Sequence, residues 1–276
     1  MVSCDAGMSP TRGQVIINNR IVSYLRWGSG ARHVLLLHGV TSSARSWWRV
    51  APGIASLGYC VTAFDMPGHG ESNLIGHHDI AHIADHLNAA CAALAIPIHT
   101  LIGHSWGGAT ALVMAQSQPI QRLILIDPLI KLDPSGGAQL VAKYGEGVGH
   151  PSNETLPWLT ARNKLWHRCD VQWKAEALHQ CRREAVEGLL LNSGEWDITD
   201  LFTQITAKTL CLAADEANTI IPTTSIPIIQ QALQQHAGRW LQIAATDHNM
   251  YRGGFDVTMP RLIEWLKEGS DDRTSN

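Results

Sequence analysis

The chain has 276 residues, 45% hydrophobic and 16% charged, which suits one large folded core and excludes a disordered chain. Its formal net charge of −3 supplies neither a basic field for nucleic acid nor a polybasic membrane anchor, so neither kind of partner is expected. Residues 1–8 lack the charged-then-apolar order of a signal peptide and no apolar run could span a bilayer, so a cytoplasmic location is expected.

In chain order, residues 14–18 and 20–27, separated at Asn19, read as an opening hairpin. Apolar β-type runs follow at 33–37, 59–64, 99–103, 122–127, 209–213 and 240–244, and several are almost continuously apolar, as parallel strands covered on both faces are. Helical patterns fall between them at 46–55, 79–95, 108–118, 225–237 and 255–267. This alternation predicts an α/β fold: a mostly parallel sheet with helices on both faces. The order breaks once. After Asp127-Pro128 no convincing strand occurs until Ala207, and this stretch holds Trp158, Trp166, Trp173 and Trp196. We read residues 128–206 as a helical cap on a core made of 1–127 and 207–276. The tryptophans either line a pocket or form the cap's own core. The polar tail 268–276 is expected to fray.

The six cysteines, Cys4, Cys60, Cys91, Cys169, Cys181 and Cys211, show no C-x-x-C spacing and are expected to be free thiols. Cys169 and Cys181 could approach each other, but a reducing compartment argues against a bridge. His78, His82 and His86 fall four apart on one predicted helix, beside His77 and Asp79. Three imidazoles on one face suit a metal in principle. A solvated face is the plainer reading, and neither a metal nor a cofactor is expected. No G-x-G-x-x-G follows the first strand, so dinucleotide binding is unsupported.

The chemistry concentrates at Gly103-His104-Ser105-Trp106-Gly107, which follows the apolar Thr100-Leu101-Ile102 and precedes a small-residue helix. Strand, sharp turn and helix would hold the Ser105 hydroxyl clear of the backbone beside N–H groups of a helix start. A serine needs a base, itself oriented by a carboxylate. His248, after the last predicted strand, is the expected base. Asp215, at the end of the 209–214 run, is the preferred acid, because it gives the chain order Ser, Asp, His. Asp127 is a second carboxylate on the same edge, more readily a fastening for the loop into the cap, and Asp247 and Glu216 trail behind. After the 33–37 run, His38-Gly39-Val40-Thr41 can turn the Val40 N–H toward Ser105, with the Trp106 N–H as the second oxyanion donor. His38 reads as structural rather than as a second base.

Together with Asp65-Met66-Pro67-Gly68-His69-Gly70-Glu71-Ser72, these motifs resemble the α/β-hydrolase family over nearly the whole chain outside the cap. The resemblance implies an eight-stranded, mostly parallel sheet with a helical cap insert. It implies Ser105 as nucleophile, His248 as base, Asp215 as acid, and Val40 and Trp106 as oxyanion donors. The acid loop departs from members with a glycine and an aspartate three residues later, which would put Asn218 at the acid position. The expected activity is cofactor-free hydrolysis of a carboxylic ester, lactone or thioester by a serine carboxylesterase-like enzyme. Carbon–carbon or amide hydrolysis, perhydrolysis, or a non-catalytic ligand-binding receptor would be compatible with the same fold.

Overall fold

The computed structural model describes residue 4 and residues 6–268; the tail expected to fray lies, apart from Glu268, outside them. The chain opens with a hairpin, β1 (Thr11–Ile17) and β2 (Arg20–Trp27), turned through Asn18 and Asn19, both at positive φ. There follow β3 (Arg32–Leu37), α1 (Val50–Ala55), β4 (Tyr59–Phe64), α2 (Ile80–Ala93), β5 (Ile98–His104), α3 (Trp106–Met114) and β6 (Arg122–Ile126). Between β6 and the next long strand come β7 (Lys131–Leu132), α4 (Gly137–Tyr144), α5 (Ser152–Arg162), α6 (Arg168–Gln180), α7 (Arg183–Asn192) and β8 (Trp196–Asp197). The chain closes with β9 (Lys208–Ala213), α8 (Ile226–Gln235), β10 (Arg239–Gln242) and α9 (Phe255–Lys267).

Eight strands form one sheet in the order β1-β2-β4-β3-β5-β6-β9-β10. Only the β1–β2 and β2–β4 pairs are antiparallel. The apolar runs divide between two cores by the two-residue period of a strand. Leu35, Leu37, Leu101 and Leu125 face the side covered by α2, α3 and α8. Val34, Leu36, Ile102 and Ile124 face α1 and α9. Every long parallel strand therefore ends its carboxyl terminus at one edge, where α/β sheets carry their sites.

Three sequence expectations change. The helix read over 46–55 is a 3₁₀ turn at Ala44–Trp47 followed by the short α1. The stretch read as strandless contains a two-residue ladder, Lys131 opposite Asp197 and Leu132 opposite Trp196, too short to carry a periodic signal. The cysteines are not all free: Cys4 and Cys169 form a disulfide, with Cα atoms 5.5 Å apart across 165 residues of sequence. No spacing rule reaches so far. Cys181, the bridging neighbour weighed for Cys169, is a free buried thiol, as are Cys60, Cys91 and Cys211. Among the described residues no helix is long and apolar enough to cross a membrane.

Candidate active site

Ser105 stands between β5 and α3 at φ 54, ψ −121, a conformation costly for any residue with a side chain. Its surroundings fix it there. The Ser105 N–H donates to Ile126 O (3.1 Å), and its carbonyl accepts from Ala109 N and Leu129 N, both 3.0 Å. The flanking glycines are required by contact. A Cβ on Gly103 would meet the Gly107 carbonyl, and one on Gly107 would meet the Leu37 carbonyl. Gly39 comes close as well: its Cβ would lie 2.9 Å from that of Ser105.

His248, on the loop after β10, contacts Asp127 Oδ2 through Nδ1 at 2.7 Å. A proton on Nδ1 in that contact leaves a lone pair on Nε2. The His248 carbonyl accepts from His104 Nε2 at 2.9 Å, and the two rings lie 4.6 Å apart. His104 is thus a positioning residue for the His248 loop. Burial, with the His248 and Arg252 charges adding, drives its pKa well below the usual value, so it stays neutral.

The acid expected from sequence is not where His248 is. Asp215 lies half-buried, accepting from Ala245 N (2.9 Å) and Ala217 N (3.2 Å). Those two backbone bonds lower its pKa, and it serves as a staple between the loops after β9 and β10. Asp127 is fully buried and, besides His248, accepts from Ala214 N (3.2 Å), Thr219 Oγ1 (2.5 Å) and Ile220 N (3.2 Å). Strand register explains the exchange. β5 pairs His104 with Ile126, and β6 pairs Ile126 with Leu212. Asp127 is therefore level with Ser105, while Asp215 projects two residues further from the sheet edge. Of the remaining carboxylates, Asp247 Oδ1 accepts from Asn249 N at 2.7 Å and turns its own loop.

Val40 lines the same cavity as Ser105 and His248. Trp106 is the first residue of α3, and first-turn N–H groups have no intrahelical acceptor. The loop bearing Val40 is built on two buried imidazoles. His38 bridges Gly39 O (2.8 Å) and Met66 N (2.9 Å); His69 bridges Pro67 O (3.0 Å) and Thr41 N (3.0 Å). Both ring nitrogens of each are engaged with backbone, which fits a structural rather than a basic role. Burial lowers both pKa values, that of His69 to about 4.

The cavity measures about 270 Å³, below the roughly 300–1,000 Å³ usual for drug-sized ligands. The segment between β6 and β9 contributes Leu140, Tyr144, Trp166, Lys174 and Leu190 to its wall. Of the four tryptophans there, Trp166 lines the cavity. Trp158 and Trp196 pack on the larger core, and Trp173 packs with Cys4, Trp48 and Cys169. The histidine cluster also differs from its sequence pattern. Ligand atoms of His77, Asp79 and His82, rather than of His78, His82 and His86, come within 4.8 Å of one another. The His78 ring instead abuts Gly188.

Residues 32–148 match the family described as the alpha/beta hydrolase fold. Among curated relatives, the magnesium-chelatase 30 kDa subunit of Rhodobacter capsulatus is 25% identical over 265 residues, covering 85% of this chain and 86% of that protein. The N-formylmaleamate deformylase of Pseudomonas putida is 27% identical over 245 residues, covering 83% and 90%. Among solved structures, an E-2-(acetamidomethylene)succinate hydrolase superposes with a TM-score of 0.79 at 16% identity, covering 93% of this chain and 99% of that one.

Proposed function

We propose that this chain, a member of the α/β-hydrolase superfamily, is a serine hydrolase that cleaves a small carboxylic ester, lactone or thioester through an acyl-enzyme on Ser105. The observation that carries this reading is the 2.7 Å contact between His248 Nδ1 and Asp127, behind a serine held at φ 54 on the same cavity. Ser105 Oγ attacks the carbonyl carbon while His248 Nε2 takes its proton. Asp127 holds the imidazolium that forms, in the role that sequence order gave to Asp215. The N–H groups of Val40 and Trp106 receive the oxyanion. His248 returns the proton to the leaving oxygen or sulfur, and water repeats the cycle to release the acid.

Amide cleavage uses the same groups. The similarity to a deformylase makes N-acyl amides the second substrate class to test. A fluorophosphonate probe is expected to label the folded protein once, at Ser105. Ser105→Ala should abolish labelling and lower kcat by about 10⁴–10⁶-fold. Folded protein that takes up no probe, or a Ser105→Ala variant within tenfold of the parent, would remove the assignment.

A further inference from the structure

Three cations line the Ser105 cavity: Lys131 is bridged to Asp197 at 3.6 Å, and Lys174 and Arg252 take no part in the chemistry above. Lys174, on α6, donates from Nζ to the carbonyl and the Oγ1 of Thr41, both at 2.7 Å. An ammonium has three N–H donors, so one remains. Arg252, on the segment after His248, is 3% exposed. Its guanidinium donates to Ser42 Oγ at 2.7 Å and to Asn249 Oδ1 at 3.3 Å. Its Nε is buried with no hydrogen-bond acceptor among the described residues. The planar group lies 4.7 Å from the centroid of the Trp166 ring, itself part of the cavity wall.

All four acceptors of Lys174 and Arg252 are neutral. Neither of the two forms an ion pair among the described residues, whereas nearby Arg49 is bridged to Asp170. Of the neighbouring carboxylates, Asp127 is taken by His248, Asp133, on the cavity rim, accepts from Ser135 N at 2.8 Å, and Asp247 accepts from Asn249 N at 2.7 Å. A buried charge without a counter-ion is expensive. The strain shows at Lys174, whose pKa falls to about 7 through burial first and the Arg252 charge second. The Thr41 backbone is bent to φ 57 while its N–H is held by His69, so the carbonyl that Lys174 grips is fixed. Thr41 and Ser42, the hydroxyl residues that hold the two cations, directly follow the oxyanion residue Val40.

We propose that Lys174 and Arg252 form a carboxylate subsite, and that the substrate carries an anionic group besides the bond that Ser105 attacks. A carboxylate there would take the free Lys174 donor and the Arg252 Nε–H as charge-assisted bonds. The inference rests on the hydrolase reading for its substrate, but the subsite itself is testable without turnover. The carboxylate could sit on the acyl part or on the leaving group.

The binding test uses Ser105→Ala protein titrated with succinate and with succinamide by calorimetry. Saturable succinate binding is expected, with succinamide at least tenfold weaker. Adding Lys174→Gln should abolish that preference and Lys174→Arg should retain it. The rate test follows acid release by the parent enzyme in two arms. Monomethyl succinate is compared with methyl butyrate for an acyl carboxylate, and O-acetylglycolate with O-acetylglycolamide for a leaving-group carboxylate. A preference of at least tenfold for the anion is expected in one arm, falling at least fivefold in Lys174→Gln. Equal binding of succinate and succinamide, or a preference that survives Lys174→Gln, overturns the subsite. Succinate binding that depends on Lys174, in a protein that turns over no ester and takes no fluorophosphonate, would retain the subsite and remove the hydrolase reading.

Discussion

The loops at the carboxyl edge of the sheet and the helices inserted between β6 and β9 face each other across one cavity, yet they position their side chains by different means. On the sheet side the backbone does the placing. Ser105, Asp127 and Thr41 all sit at positive φ, glycines sit where a Cβ cannot fit, and neutral buried imidazoles hold the loops. On the inserted side long side chains reach in, Lys174 from α6 and Trp166 from the turn between α5 and α6. Short, backbone-fixed groups suit bond-making, which tolerates little displacement. Long side chains suit selection among substrates.

The largest expected effect lies on the sheet side. Asp127→Asn should lower kcat by about 10³–10⁴-fold with the circular-dichroism spectrum unchanged, because the His248 tautomer loses its partner. Asp215→Asn should cost less than about tenfold. Equal losses in the two variants would mean that register does not choose the acid.

A second difference is in pH dependence. Burial holds the imidazoles of His38, His69 and His104 below their usual 6.5, His69 at about 4. Their contribution to stability is full above 6.5. It is lost on acidification toward 4, as the unfolded chain takes up protons that the folded one refuses. On the inserted side Lys174 is lowered from 10.5 to about 7, so its contribution is complete only above 10.5 and declines as pH falls to 7. Urea midpoints should drop between pH 6.5 and 4 in the parent. Lys174→Met should flatten the slope between 7 and 10 and leave the acid limb in place. An acid limb absent from the parent would contradict the neutral-imidazole loops.

The smallest effect concerns the tryptophans. Trp166→Ala should change the relative kcat/KM for acetyl and butyryl esters by about 5–100-fold, in line with 1–3 kcal/mol per apolar contact group. Trp158→Ala and Trp196→Ala should lose stability and keep the parent's chain-length profile. A shifted profile in either of these two would place the selective wall elsewhere.

Sheet and elbow were legible because their signals are local. Apolar strands of four to eight residues and glycines two positions from a serine are visible within a short window. His248 stands, as expected, on the loop after the last strand, but the carboxylate it meets is Asp127 and not the expected Asp215. Chain order says that a carboxylate follows β9, but only the β5–β6 and β6–β9 registers show that Asp127 is level with Ser105. Lys174 gives no sequence signal, since a lysine on a mixed polar helix reads as a solvated one. His104 stood inside the elbow motif itself, but its bond to the His248 carbonyl joins residues 144 apart.

The disulfide has a consequence for the order in which the chain is made. Cys4 is synthesised first and Cys169 follows 165 residues later, a delay of about 8–33 s at the ordinary 5–20 residues per second. Cys60 and Cys91 emerge in that interval as competing thiols. Both end up buried, Cys60 on β4 and Cys91 on α2. In the folded chain the sheet and α2 therefore keep both thiols away from the Cys4–Cys169 bridge.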